Sequence, residues 1–94
     1  MQEHQYPAGG ALVFGGSGGV GRAICLRLAQ AGCDVELTYR TNAAAGEQIV
    51  ASIRALGRRA EAHAVAAGDE RRMASLLDDA AARLGGIHTG IIPP

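Results

Sequence analysis

Glycines are concentrated between residues 15 and 21, directly after the apolar run Ala11–Phe14. Glycine lets a backbone come close to a ligand, and a helix that begins there presents free N–H groups at the positive end of its dipole. This combination is suited to binding a phosphate group. The alternative is that these glycines only shape a turn between a strand and a helix.

The elements around the glycines are predicted from apolar spacing and from turn residues. The predicted strands cover 11–14, 33–39, 59–66 and 87–92. The predicted helices follow the glycines as far as Gly32, cover 43–56 after cap residues at Thr41 and Asn42, and run from an Asp69 cap to Leu84. Strands that alternate with helices through short links are typical of parallel pairing by right-handed crossovers.

The predicted fold class is α/β, a partial Rossmann-like parallel sheet with strand order 3-2-1-4 and helices on both faces. Residues 10–94 are expected to form a dinucleotide-binding half-domain after a flexible lead-in at 1–9. In this order the carboxyl end of the first strand, where the glycines lie, is the place where the strand order reverses and ligands bind.

Helical and strand spacing also predicts which residues face the core. The apolar positions at helical spacing are Val20, Ile24 and Leu28, then Ile49, Ile53 and Leu56, then Met73, Leu76, Leu77, Ala80 and Leu84. In the second strand Val35, Leu37 and Tyr39 share one face. The acidic residues Asp34 and Glu36 on its other face are unusual for a strand that is covered on both sides.

Residues 13–24, Val-Phe-Gly-Gly-Ser-Gly-Gly-Val-Gly-Arg-Ala-Ile, resemble the cofactor loop of the short-chain dehydrogenases/reductases. The similarity is to their single-domain branch, which includes the 3-oxoacyl-carrier-protein reductases. Residues 37–42, 55–60 and 84–88 resemble the second strand and later helix ends of that family. The resemblance covers nearly all of this chain, but only the first half or less of a family member.

The resemblance implies that the loop holds the pyrophosphate and adenosine side of the cofactor. The residues that take this role are Gly15, Ser17, Gly18, Gly19, Val20 and Gly21. Among them Gly15 permits the tight turn, Gly19 the close approach of the phosphate, and Gly21 the packing of helix on strand. The chain departs from the family pattern at Phe14, usually a threonine, and at Ala67, usually an aspartate that contacts adenine.

Cofactor choice depends on the residues that end the second strand. Enzymes that prefer NAD carry an acidic residue there, which binds the ribose hydroxyls. This chain has Tyr39, Arg40 and Thr41, and a guanidinium matches a phosphate in geometry and charge. We therefore predict that Arg40, helped by Thr41 and Asn42 and with Tyr39 beside it, binds the 2′-phosphate of NADP. The alternative for Arg40 is a solvated loop arginine.

Catalytic residues are expected to be missing from these 94 residues. Family members use a serine and a Tyr-x-x-x-Lys pair, in which the lysine lowers the pKa of the tyrosine. The chain has no lysine, and neither Tyr6 nor Tyr39 occupies such a position. We predict no catalytic residue and no metal site, and cofactor binding without hydride transfer. The alternative is a non-catalytic nucleotide-binding or regulatory module that pairs with a partner chain.

Charge and composition limit the partners. Nine basic residues balance nine acidic ones without forming a basic stripe, so neither nucleic acid nor a membrane is an expected partner. Cys25 and Cys33 have no paired spacing, which favours reduced core residues in the cytoplasm. The fourth strand is expected to be an exposed edge, so we predict a homo-oligomer or pairing with a complementary chain.

Overall fold

In the part of the chain that the structure describes, four parallel strands form one sheet, and three helices pack against it. The computed structural model describes residues 10–66 and 68–91. The predicted lead-in at 1–9, Ala67 and the end of the predicted fourth strand at Ile92 lie outside the described residues. The strands are β1 (Gly10–Val13), β2 (Asp34–Tyr39), β3 (Ala60–Ala64) and β4 (Ile87–Ile91), and the helices are α1 (Gly19–Gln30), α2 (Ala43–Ala55) and α3 (Glu70–Leu84).

Strand β1 lies inside the sheet, whose order is β3-β2-β1-β4. Its parallel register places Val13 opposite both Leu37 of β2 and Ile91 of β4. Every residue of β1 is buried, as expected for a strand covered on both faces. The α/β Rossmann-like architecture with a parallel sheet is therefore confirmed. Phe14 was predicted to end the first strand, but it lies in the turn that follows.

Both faces of the sheet carry a hydrophobic core. On one face Val13, Val35 and Leu37 pack in a cluster with buried residues of α1 and α2. On the other face Leu12 packs with Leu76 and Ala80 of α3. Because successive strand residues point to opposite faces, β1 supplies one large side chain to each core.

The buried face of α1 differs from the predicted Val20–Ile24–Leu28 stripe. The buried residues of α1 are Gly21, Cys25 and Ala29, which are four positions apart. Val20 is 54% exposed, while Ile24 and Leu28 are half-buried at the border of the core. Small side chains therefore form the buried face, and at Gly21 the helix is so close to the turn after β1 that no Cβ fits.

Two further predicted core residues are exposed. Leu56 lies just after the end of α2 and is exposed, whereas Val50, within α2, is buried. Leu77 lies on the outer side of α3.

The predicted helix caps at Asn42 and Asp69 are confirmed. Asn42 Oδ1 accepts a hydrogen bond from the Ala45 N–H at 3.0 Å, and Asp69 Oδ1 accepts one from the Arg72 N–H at 3.0 Å. No helix in the described part of the chain is both long and apolar enough to cross a bilayer.

Candidate functional site

The chain turns sharply where it leaves β1. Residues 14–17 form the turn, and Gly18 is the N-cap of α1. Gly15 has a φ of +76°, a left-handed conformation that glycine adopts without a steric penalty. The Gly18 N–H donates a hydrogen bond to the Gly15 carbonyl oxygen at 3.2 Å. Gly15 is thus the corner at which strand changes to helix.

Two other glycines allow α1 to pack closely on this turn. A Cβ atom on Gly21 would collide with the Gly15 carbonyl oxygen and lie 2.7 Å from the Gly16 Cα. A Cβ on Gly16 would lie 2.7 Å from the Leu37 Cβ and 3.0 Å from the Cys25 Sγ. These distances leave no room for a side chain, so the glycines bring the helix start against the turn and β2.

The outer side of the loop is open, in contrast to its inner side. Gly18, Gly19 and Val20 are exposed, and Ser17 is half-buried. A Cβ on Gly19 would meet no atom within 4 Å, and one on Gly18 would meet only the Gly15 carbonyl oxygen, at 3.6 Å. No described residue therefore fills the space in front of Gly19, and a ligand has access to the backbone there.

The first turn of α1 carries a partial positive charge that no side chain neutralises within the described residues. The N-cap Gly18 makes no side-chain capping hydrogen bond, and the first turn has no acidic residue. The first intrahelical bond runs from the Arg22 N–H to the Gly18 carbonyl oxygen at 2.7 Å. The N–H groups before Arg22 have no acceptor inside the helix, which makes this end a favourable position for an anion.

The end of β2 lies at the same edge of the sheet as the loop. Val13 pairs with Leu37, so β2 continues beyond the end of β1 as far as Tyr39. Tyr39 is half-buried, and its ring lies 3.0 Å from the position of a Cβ on Gly46 in α2. Arg40 and Thr41 follow it and are exposed. Arg40 has no ion-pair partner among the described residues.

One contact between the glycine loop and β2 was not predicted from the sequence. The backbone N–H of Gly15 donates a hydrogen bond to the Thr38 Oγ1 at 2.8 Å, across 23 positions of sequence. Thr38 is 4% exposed. The available signal in the sequence was a hydroxyl residue in a strand of large side chains, two positions before Arg40.

The chain departs from the family pattern at Phe14 and at Ala67, and the structure describes the first of these two positions. Phe14 is half-buried and packs against the core cluster that contains Leu12 and Leu76. The position of Ala67 lies outside the described residues. The carboxylate of Asp69, two positions later, caps α3 by accepting a hydrogen bond from the backbone N–H of Arg72. Within 10–66 and 68–91, no group of three or more His, Cys, Asp or Glu residues is placed to hold a metal ion.

The acidic residue in β2 that was unusual for a covered strand is buried in an ionic cluster. Glu36 is 1% exposed, and its carboxylate lies 2.7 Å from the His63 Nε2. The Arg83 guanidinium donates to both of its oxygens, at 2.9 and 2.6 Å. Burial by itself would raise the pKa of Glu36, but the hydrogen bonds from Arg83 and His63 hold it below its ordinary value. The cluster ties β2 to β3 and α3.

A family model for short chain dehydrogenases matches residues 10–91. Among curated proteins, the chain is 36% identical over 77 residues to the short chain dehydrogenase/reductase AacuN of Aspergillus aculeatus. That match covers 82% of this chain and 29% of the relative. The chain thus spans about three tenths of the length of this relative.

Solved structures have the same fold. A short chain dehydrogenase from Burkholderia cenocepacia in complex with NADP is 41% identical, with a TM-score of 0.85. The match covers 88% of this chain and 34% of that one. A blue fluorescent protein from a metagenomic library, in complex with NADPH, is 33% identical with a TM-score of 0.81, over 85% of this chain and 33% of that one.

Proposed function

Since the chain belongs to the short chain dehydrogenase family, a family of oxidoreductases, we propose that it binds NADP(H) through the loop between β1 and α1. The observation that carries this proposal is the uncapped N-terminus of α1, which opens onto free space in front of Gly19. The position at the carboxyl end of β1 supports it, because β2 and β4 flank β1 and the strand order reverses there.

The pyrophosphate is assigned to the loop formed by Gly15, Ser17, Gly18, Gly19, Val20 and Gly21, in which Gly15 makes the turn and Gly21 allows the helix to pack on it. The open space in front of Gly18 and Gly19 fits a phosphate group, which a side chain at either position would obstruct. The N–H groups of the first turn would donate to the phosphate oxygens. The exposed side chain of Val20 offers an apolar surface beside them.

The 2′-phosphate is assigned to the residues that end β2, namely Tyr39, Arg40 and Thr41. Arg40 is exposed at the same edge as the loop and has no ion-pair partner among the described residues. A guanidinium forms charge-assisted hydrogen bonds with phosphate oxygens, and this strand end has no carboxylate to repel them. NADP is therefore proposed over NAD. The solved relatives that contain NADP and NADPH support the same choice.

These 94 residues are proposed to bind the cofactor and to take no part in proton transfer. They contain no lysine to lower the pKa of a tyrosine, and Tyr39 is engaged at the end of β2. Bound NADPH would supply a hydride.

A second candidate function is a non-catalytic nucleotide-binding module that pairs with a partner chain. The observation in favour of it is that β4, among the described strands, pairs with β1 alone.

Association with a second copy or with a complementary chain is proposed because, among the described strands, only one side of β4 is paired. The loop motif from Val13 to Ile24 supports the branch of the family that includes the 3-oxoacyl-carrier-protein reductases. Cys25 and Cys33 are both free and buried, which supports a reducing compartment such as the cytoplasm.

Titration of the chain with NADPH and with NADH, followed by calorimetry, tests the cofactor assignment. The proposal expects binding of NADPH and binding of NADH that is weaker by about tenfold or more, since a charge-assisted contact contributes about 1.5–3 kcal/mol. Equal affinities would overturn the choice of NADP. No binding of either would overturn the proposed function.

A further inference from the structure

Thr38 connects β2 with the glycine loop through the hydrogen bond from the Gly15 N–H to its Oγ1, at 2.8 Å. We infer that Thr38 is a positioning residue, which holds the loop in the conformation that receives the pyrophosphate. The inference rests on the proposed function of the loop. It assigns a role to a side chain that lies behind the loop and has no direct part in the phosphate contacts.

Gly15 is the residue of the loop at which such an anchor has the largest effect. Its N–H is bound by Thr38, while its carbonyl oxygen accepts the hydrogen bond from the Gly18 N–H at 3.2 Å. The same carbonyl oxygen packs against Gly21 so closely that no Cβ fits there. A rotation of Gly15 would therefore move both the turn and the first turn of α1, which carries the N–H groups proposed to bind the phosphate.

Burial makes this hydrogen bond hard to replace. Thr38 is 4% exposed, so water does not readily take the place of its hydroxyl group. Without that acceptor the Gly15 N–H would lose its partner on the inner side of the loop, where the bond is partly buried, and an unpaired backbone donor costs free energy. The loop would then shift toward water, and its N–H groups would no longer be aligned for an anion.

Thr38 also relates the two parts of the proposed site to each other. It lies two residues before Arg40 on the same strand. This hydrogen bond, together with the pairing of Val13 with Leu37, therefore links the loop that would bind the pyrophosphate to the strand that leads to Arg40. A ligand that contacts both groups gains affinity when they are held in place before it binds.

The test uses the full chain with Thr38→Val, which keeps the shape of the side chain but removes the acceptor, and Thr38→Ser, which keeps the acceptor. NADPH affinity is measured by calorimetry, and exchange of the Gly15 amide proton by NMR. Thr38→Val is expected to lower the affinity for NADPH by about tenfold and to accelerate exchange of the Gly15 amide proton. Thr38→Ser is expected to keep an NADPH affinity within about twofold of that of the parent. If Thr38→Val does not fold, Thr38→Ala removes the acceptor and is expected to weaken NADPH binding and accelerate Gly15 exchange relative to Thr38→Ser; equal values in the two variants would overturn the inference.

Ile53→Val is the matched control, because it shortens a fully buried side chain of α2 away from the loop. A general loss of stability would affect both variants, whereas only Thr38→Val should change NADPH affinity and Gly15 exchange. Unchanged Gly15 exchange in Thr38→Val would overturn the inference, as would unchanged NADPH affinity. A parent chain that binds no NADPH but loses Gly15 protection in Thr38→Val would refute the proposed function and leave the anchoring of the loop established.

Discussion

The carboxylate of Glu36 and the guanidinium of Arg83 form a two-pronged ion pair across 47 positions of sequence, with N–O distances of 2.9 and 2.6 Å. The carboxylate is 1% exposed, whereas the Arg83 side chain is 40% exposed. A buried carboxylate remains ionised in the fold only while its partners donate to it. This pair therefore explains how an acidic residue is accommodated in the middle of a covered strand.

Removal of the arginine should destabilise the fold more than removal of both partners. Arg83→Leu leaves the Glu36 carboxylate with His63 as its remaining partner, and we expect a loss of about 1–3 kcal/mol in the free energy of unfolding. The double variant Glu36→Leu, Arg83→Leu should recover much of this loss, because no buried charge is left unpaired. Urea unfolding measures both values. A double variant less stable than Arg83→Leu would contradict this explanation.

Acid should weaken the fold partly through Glu36. Its pKa is lower in the folded protein than in the unfolded chain, so the ionised group stabilises the fold at pH values above the unfolded pKa of about 4.3. This contribution is lost as the pH falls through the lower, folded value. The free energy of unfolding should therefore decrease less between pH 5 and pH 3 (about the range around that pKa) in Glu36→Gln than in the parent. Parallel pH profiles would show that Glu36 is not the group responsible.

Two glycines of the loop should respond differently to alanine. In Gly21→Ala the new Cβ would collide with the Gly15 carbonyl oxygen, and we expect a loss of about 1–3 kcal/mol in stability together with loss of NADPH binding. In Gly19→Ala the Cβ points into open space, so stability should be kept or rise by up to about 1 kcal/mol. NADPH binding should nevertheless weaken, because the methyl group occupies the space proposed for the phosphate. Thermal unfolding and calorimetry on both variants separate the two effects, and full affinity in Gly19→Ala would exclude a phosphate at that position.

Arg40→Asp should reverse the charge at the proposed 2′-phosphate site. We expect NADPH affinity to fall by about tenfold or more, with NADH affinity unchanged or higher, because a carboxylate accepts hydrogen bonds from ribose hydroxyls. Arg27→Asp is the control, since Arg27 is also exposed but lies in the last turn of α1, at the end away from the loop. A comparable loss of NADPH affinity in both variants would indicate a general charge effect and not a contact.

The thiol of Cys25 should be unreactive in the folded chain. Burial raises the pKa of this thiol to about 12, so its thiolate is scarce at neutral pH. A disulfide reagent at about pH 8 should label Cys25 only at the rate of unfolding, and promptly in denaturant. The variant Cys33→Ser allows the signal to be assigned to Cys25. Rapid labelling of Cys25 without denaturant would contradict its position in the core.

The sequence by itself determined the features that depend on neighbouring residues. The alternation of strands and helices follows from apolar spacing and turn residues, and the caps at Asn42 and Asp69 act within three positions of sequence. The glycine-rich turn after β1 was predicted for the same reason. A left-handed φ at Gly15 is a local requirement that only a few residue types meet.

The tertiary structure alone decided which faces and partners are used. The apolar stripe of α1 predicted Val20, Ile24 and Leu28 as its buried face, but the close approach to the turn requires the small residues Gly21, Cys25 and Ala29 there. Glu36 finds its partners 27 and 47 positions away, and Gly15 finds Thr38 23 positions away. Such pairings depend on strand register and helix placement. Local periodicity carries no information on either, because each is set by packing across the whole sheet.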